Sequence, residues 1–159
     1  MLVRIMRLSR GGRFRSKLMI RLGYGSYSRF FKPKRTDFDW LSSDPEEVDK
    51  YVDDPLCGQP LTLSFYKDFF TGNLRVRKMK NLKQLPKNLP VLIFCGGKDP
   101  TGRFGKDIKL LQEEYSRIGI NDVGIKIYPE GRHEMLNDVN REEVWSDILK
   151  WLETKLNSV

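Results

Sequence analysis

Apolar and polar positions change rhythm near Pro90. Val91 to Cys95 reads VLIFC, a short continuous apolar run of the kind a strand buried on both faces carries. GGKDPTG follows as a turn. From Lys106 to Ile118, residues Ile108, Leu111, Tyr115 and Ile118 fall on one helical face, and Gly119 marks the stop. VGIKIY, 123–128, predicts a second strand, and PEGRHEMLND a loop. Asn140 with Glu143 three residues on resembles a capping box in all but the cap residue type. Val144, Trp145, Ile148, Leu149, Leu152 and Leu156 then form the apolar stripe of a last helix. Strand, helix, strand, helix at these lengths predicts right-handed βαβ connections and a parallel sheet, hence an α/β fold.

Upstream the pattern is helical, with no strand expected before about residue 75. Leu2, Ile5, Met6 and Leu8 sit near helical spacing, as do Leu18, Met19 and Leu22, with Gly11 and Gly12 between. They predict two short helices whose apolar faces cover something else. Asp44 suits an N-cap, Pro45 the first helical position, and Glu46 and Glu47 the first turn, with Pro55 ending that helix. A further helix is predicted from about Leu61 to Phe70, stopped at Gly72. A Lys-rich connector follows. The expected organisation is a helical segment over 1–75, a connector over 76–89 and an α/β part over 90–159.

Composition adds bounds. At 159 residues the chain suffices for one ordinary domain, and its apolar runs are too short to span a bilayer. Cys57 and Cys95 form no framework, which suggests a reducing, cytoplasmic setting. The net charge of +8 is uneven: residues 1–36 hold eleven basic side chains and no acidic one, and the rest 18 basic and 21 acidic. The basic segment is amphipathic, so it could lie on a membrane surface or mimic a transit peptide; it is not a secretory signal, because Arg interrupts every apolar run. Aromatics interleave with Arg and Lys over Gly23–Thr36, but no recognised nucleic-acid-binding pattern is present, and nucleic acid is not the expected partner.

Two residues stand where chemistry collects in open α/β sheets, just past the carboxyl ends of strands. Asp99 follows the first predicted strand, and His133, the single histidine, follows the second. If the strands are parallel neighbours, the two loops lie side by side, and a carboxylate beside an imidazole fixes its tautomer and stabilises its protonated form. Blander readings stand beside this one. Asp before Pro is a good turn residue, and a lone loop histidine is often simply solvated. A metal role is disfavoured: H-E-x-x-H needs histidine where Asn137 stands, and no cofactor is expected.

Residues 89–152 resemble the C-terminal third of serine-aminopeptidase-type α/β-hydrolases, the group containing monoacylglycerol lipases and lysophospholipases. The resemblance rests on a strand ending in G-x-x-D-P-x-G (Gly96 to Gly102), a helix, a strand, then G-x-H-E (Gly131 to Glu134) before Leu136-Asn137. Residues 24–58 are similar to the helical cap of bacterial members. The resemblance implies Asp99 as triad acid and His133 as triad base, with Gly131 giving a tight approach and Pro100 stiffening the turn. It implies a lipid ester as substrate of the intact enzyme. Phe65, Tyr66, Phe69 and Phe70 then either line an acyl tunnel or serve as core between helices.

The nucleophile does not accompany them. In this fold serine precedes acid and histidine on a G-x-S-x-G elbow, and no such stretch occurs in the chain. The expectation is a cap plus the last two core strands of an α/β-hydrolase, without elbow or oxyanion-hole loop and inactive alone. Its first strand should present an open apolar edge, its helix stripes should be half-covered, and the chain should be marginally stable or self-associate unless an N-terminal piece complements it. The alternative is a non-catalytic module that binds anionic lipid or nucleic acid through segment 1–36.

Overall fold

A computed structural model describes residues 2–157, in two compact units. One comprises Tyr27–Asp54 and Pro86–Val159, the other Met1–Ser26 and Pro55–Leu85. The numbering below runs in chain order: helices α1 (Leu2–Arg10), α2 (Lys17–Gly23), α3 (Pro45–Asp53), α4 (Leu63–Val76) and α5 (Met79–Leu82), strand β1 (Val91–Gly96), helix α6 (Lys106–Arg117), strand β2 (Val123–Tyr128) and helix α7 (Arg141–Leu156).

The first unit is built on β1-α6-β2. The strands pair in parallel, from Val91 opposite Val123 to Gly96 opposite Tyr128. Parallel neighbours need a crossover, and α6 supplies it. Ile108 on α6, with Ile118 and Ile120 beyond it, is buried. Tyr128, Met135 and Val144 form a small core, with Phe94 and Ile148 against it. Helix α3 begins as expected: the Asp44 side chain accepts from the Glu46 N–H at 3.0 Å, and Pro45 occupies the first turn.

The strand edge is open and the helix stripes are half-covered, as the sequence leads one to expect. Strand β1 is half-buried, and among the described residues its sole strand partner is β2. Trp145, Leu149, Leu152 and Leu156 on α7 are 41%, 59%, 42% and 73% exposed, and Leu110 and Leu111 on α6 are exposed too. These side chains repeat at helical spacing along α7, so the amphipathic stripe exists but is covered only at Val144 and Ile148. Helix α7 also starts differently from the expected capping box. Asn140 makes no side-chain cap; its amide instead donates to Glu143 Oε2 at 3.1 Å. The backbone at Asn140, with ψ at 23°, lies outside the extended region a capping side chain needs.

In the second unit Val3, Met19, Leu63 and Tyr66 form the core, with Met6 and Phe14 packed on it. Of the apolar residues expected to cover a neighbour, only some do so: Leu2, Ile5, Leu8, Leu18 and Leu22 are exposed. Ser16 caps α2 through Met19 N–H, Thr62 caps α4 through Phe65 N–H, and Arg15 and Thr62 form an isolated antiparallel bridge. Helix α4 runs through Gly72 instead of stopping there. A single interior glycine costs only about 1 kcal/mol, too little to end a helix unaided. The end falls at Val76, where the Asn81 side-chain amide donates to the Arg75 carbonyl at 2.6 Å.

Candidate active site

Pairing β1 with β2 brings their C-terminal ends, and the loops beyond, side by side. The approach is close. A Cβ at Gly96 would collide with the Gly131 and Arg132 carbonyl oxygens, and one at Gly131 with the Met135 side chain. The Gly97 N–H donates to the Tyr128 carbonyl at 2.7 Å and the Lys98 N–H to the Gly131 carbonyl at 2.9 Å. Glycine at 96 and 131 thus lets two backbones touch, which holds Asp99 and His133 at one height.

The contact follows. His133 Nδ1 lies 3.0 Å from Asp99 Oδ2. Asp99 is 5% exposed, whereas the His133 side chain is 40% exposed. The two carboxylate oxygens divide the work. Oδ1 accepts from the Thr101 N–H at 2.8 Å, which shapes the turn, and Oδ2 faces the imidazole. The turn reading and the acid reading of Asp99 therefore both hold geometrically, on different atoms. Thr101 Oγ1 lies 2.7 Å from Oδ2 and 3.1 Å from His133 Nδ1. A consistent proton arrangement has the Thr101 hydroxyl donating to the carboxylate while Nδ1–H points at Asp99, which leaves Nε2 for chemistry.

Charge follows geometry. Burial works to raise the Asp99 pKa, but hydrogen bonds from His133 and Thr101 and the nearby imidazolium outweigh it and hold the carboxyl below its usual range. The hydrogen bond to Asp99 raises the His133 pKa above its ordinary value, against burial. The pair is thus an ionised acid beside a strengthened base.

Its support comes from residues 39–44. The His133 N–H donates to the Trp40 carbonyl at 3.3 Å and the Glu134 N–H to the Leu41 carbonyl at 2.7 Å. The Trp40 ring packs on the imidazole, centroids 5.0 Å apart. Asp138, fully buried, accepts from the Arg132 N–H at 2.7 Å, the Ser43 N–H at 3.0 Å, the Val139 N–H at 2.8 Å and the Ser43 hydroxyl. Ser42 Oγ donates to the Asn137 carbonyl at 2.9 Å. Arg132 donates to the Asp39 and Ser42 carbonyls, and its guanidinium lies 4.2 Å from the Phe31 ring centroid.

A hollow of about 350 Å³ opens at the pair, lined by Phe94, Cys95, Asp99 and residues 133–137. Cys95 is the thiol at this hollow. Burial, and then the Asp99 charge, pushes its pKa up to about 11, so it stays protonated and is a poor nucleophile. Among the described residues no group of three or more His, Cys, Asp or Glu could hold a metal ion. None of their helices is long and apolar enough to cross a membrane.

Of the residues expected from the sequence, Asp99 and His133 are brought together. Phe65, Tyr66, Phe69 and Phe70 belong to the other compact unit. There Tyr66 is core, at 8% exposure, while Phe65, Phe69 and Phe70 are 47%, 53% and 45% exposed and pack on one another. Thr101, Trp40 and Asp138 had gone unnoticed. The Asp-Pro-Thr turn is the one local signal that could have found Thr101; the other two depend on partners about ninety residues away.

The fold recurs in known proteins. Solved structures similar to this chain include a highly thermostable carboxyl esterase from Bacillus coagulans, at 22% identity and TM-score 0.79, and a lipase in its open form, at 20% and 0.79. The chain covers 96% of itself and 50% of each. A soluble variant of monoglyceride lipase from Saccharomyces cerevisiae matches at 20% identity and TM-score 0.58, over 94% of this chain and 51% of that one. The chain thus spans about half the length of these structures. The pattern of the family described as serine aminopeptidase, S33, matches residues 4–140, most of the chain, and the chain belongs to that hydrolase family.

Proposed function

We propose that this chain carries the acid–base half of a carboxylic-ester hydrolase of the monoacylglycerol lipase or lysophospholipase type. The observation that supports it is the 3.0 Å contact between Asp99 Oδ2 and His133 Nδ1, which leaves Nε2 beside the hollow. In the reaction a serine hydroxyl gives its proton to Nε2 as its oxygen attacks the ester carbonyl carbon. His133, now charged and steadied by Asp99, returns that proton to the leaving alcohol, and water repeats the sequence to free the acid. Asp99 stays ionised throughout.

The 159 residues hold no Gly-x-Ser-x-Gly, so the serine and the oxyanion donors come from outside them, in a longer form of the chain or a complementing polypeptide. Exposed Phe65, Phe69 and Phe70 offer an apolar surface suited to an acyl chain. Alone, the chain turns over no p-nitrophenyl butyrate above background. Turnover by the 159-residue chain that His133→Ala abolishes would sink this. In a form that includes the serine, Asp99→Asn lowers kcat by about 10⁴-fold, by analogy with other triads; an unchanged kcat would remove Asp99 from the mechanism. Intact mass from the natural source, captured through the C-terminal helix, tells the longer form from a separate partner.

A second reading has one observation in its favour. Helix α1 leaves Leu2, Ile5 and Leu8 43%, 55% and 90% exposed on a helix that also carries Arg4, Arg7 and Arg10. Such a face suits an anionic membrane surface. Co-sedimentation with phosphatidylserine vesicles should exceed that with phosphatidylcholine vesicles and fall in Leu8→Asp; equal sedimentation removes the reading.

A further inference from the structure

A larger cavity, about 640 Å³, lies within the unit that carries the Asp99–His133 pair. Its walls hold five cationic side chains, Lys32, Lys34, Arg35, Lys98 and Arg132, against one carboxylate, Asp39. Asp39 is already committed. Its oxygens accept from the Arg35 N–H at 2.7 Å, the Thr36 N–H at 3.0 Å and the Thr36 hydroxyl at 2.6 Å. Those donors hold its carboxyl below the usual range although burial opposes them, so it remains ionised and turned to its own turn.

The cations differ in how far they are satisfied. Lys34, Arg35 and Lys98 each reach an exposed carboxylate outside the lining, at Asp37, Asp49 and Glu130. Exposed pairs of this kind are weak and exchange readily for a better partner. Lys32 forms no ion pair among the described residues. Arg132 is the fixed element. Carbonyls of Asp39 and Ser42 hold one nitrogen, and Phe31 supports the plane. Phe30 and Phe104, edge to face at 5.2 Å, add an apolar wall.

We propose that this cavity binds a phosphate group, with Arg132, Lys32 and Lys98 as its cationic ligands. The chemistry is that of a tetrahedral oxyanion: several donors from separate segments, one of them a guanidinium locked in place. The volume exceeds what a bare ion fills, and the Phe wall suits the organic part of a small phosphate ester. The site is independent of the hydrolase reading, since it uses neither Nε2 of His133 nor a serine.

The test is a calorimetric titration of the 159-residue chain with sn-glycerol 3-phosphate, with inorganic phosphate and glycerol in parallel. Saturable one-site binding of the phosphate compounds, and none of glycerol, is expected. Lys32→Met and Lys98→Met should each weaken it at least tenfold, while Lys109→Met on α6 leaves it unchanged. Tighter binding of the ester than of inorganic phosphate assigns the site to a phosphate ester; equal binding assigns it to free phosphate. Arg132→Met also removes two structural hydrogen bonds, so the exposed Lys32 carries the decision. No saturable binding, binding indifferent to Lys32→Met, or equal loss in Lys109→Met overturns the proposal. Because no hydrolysis is read, that failure would leave the acid–base reading untouched.

Discussion

Among the described residues, five of the six buried polar side chains, Ser28, Asp39, Ser42, Asp99 and Asp138, lie in the unit that carries the Asp99–His133 pair. Only Ser16 lies in the other. The site-bearing unit adds to its apolar core a web of hydrogen bonds between residues 39–44 and 132–141. The other unit has one apolar knot, Val3, Met19, Leu63 and Tyr66, and helices whose outward apolar residues meet nothing comparable. The difference teaches what each tolerates. Directional bonds fix a catalytic geometry to fractions of an ångström, and they fail abruptly when one acceptor is lost. Apolar packing yields by degrees.

The largest effect that would sharpen this contrast is steric. Gly96→Ala pushes a methyl group into the Gly131 and Arg132 carbonyls, and about 4 kcal/mol of stability should go with it. All three tryptophans, at 40, 145 and 151, lie in the site-bearing unit, so the urea midpoint read by their fluorescence should fall sharply. A midpoint like that of the parent chain would mean the loops need not touch.

Next comes Asp138→Ala. It orphans the N–H groups of Ser43, Arg132 and Val139, at a cost of about 3 kcal/mol, again in the fluorescence transition. Leu63→Ala, in the other unit, should cost about 2.5 kcal/mol and shift the helical circular dichroism transition while leaving the tryptophan transition in place. Equal shifts in both signals would show the two units melting together. Phe69→Ala, half-exposed on the same helix as Leu63, should move neither by more than about 0.5 kcal/mol.

The smallest effect concerns protons. The folded pKa of His133 is raised above 6.5, so its contribution to stability is full below pH 6.5 and is lost as pH rises through the folded value. The folded pKa of Asp99 is lowered below 3.8, so its contribution is full above pH 3.8 and is lost as pH falls through the folded value. The pair therefore helps most between these limits. Titration of the single histidine by NMR should show a pKa above 6.5 that drops in Asp99→Asn; no drop would deny the contact its electrostatic role.

Much of the site-bearing unit was legible in the sequence because its signals are local. VLIFC and VGIKIY read as strands, Asp44-Pro45 as a helix start, and strand ends pointed to Asp99 and His133. The half-covered helix stripes were legible too, but from the shortage of further strand signals and not from spacing. Trp145, Leu149, Leu152 and Leu156 carry the period of a covered face, and a period says nothing of whether a cover is present. Thr101 hid inside a turn motif that Asp99 already explained. Asp138 and Trp40 act through contacts with residues more than ninety positions away, for which no local spacing gives a sign.

The hydrogen bonds that aim His133 end on the peptide carbonyls of Trp40 and Leu41. Every amino acid offers that same carbonyl. The alphabet at positions 40 and 41 is therefore free to drift as far as this anchor is concerned, provided the backbone keeps its path. Part of what orients the imidazole is thus written in chain geometry and not in letters. Descendants of this sequence could change letters there and keep both hydrogen bonds, losing only what the Trp40 ring lends to the imidazole.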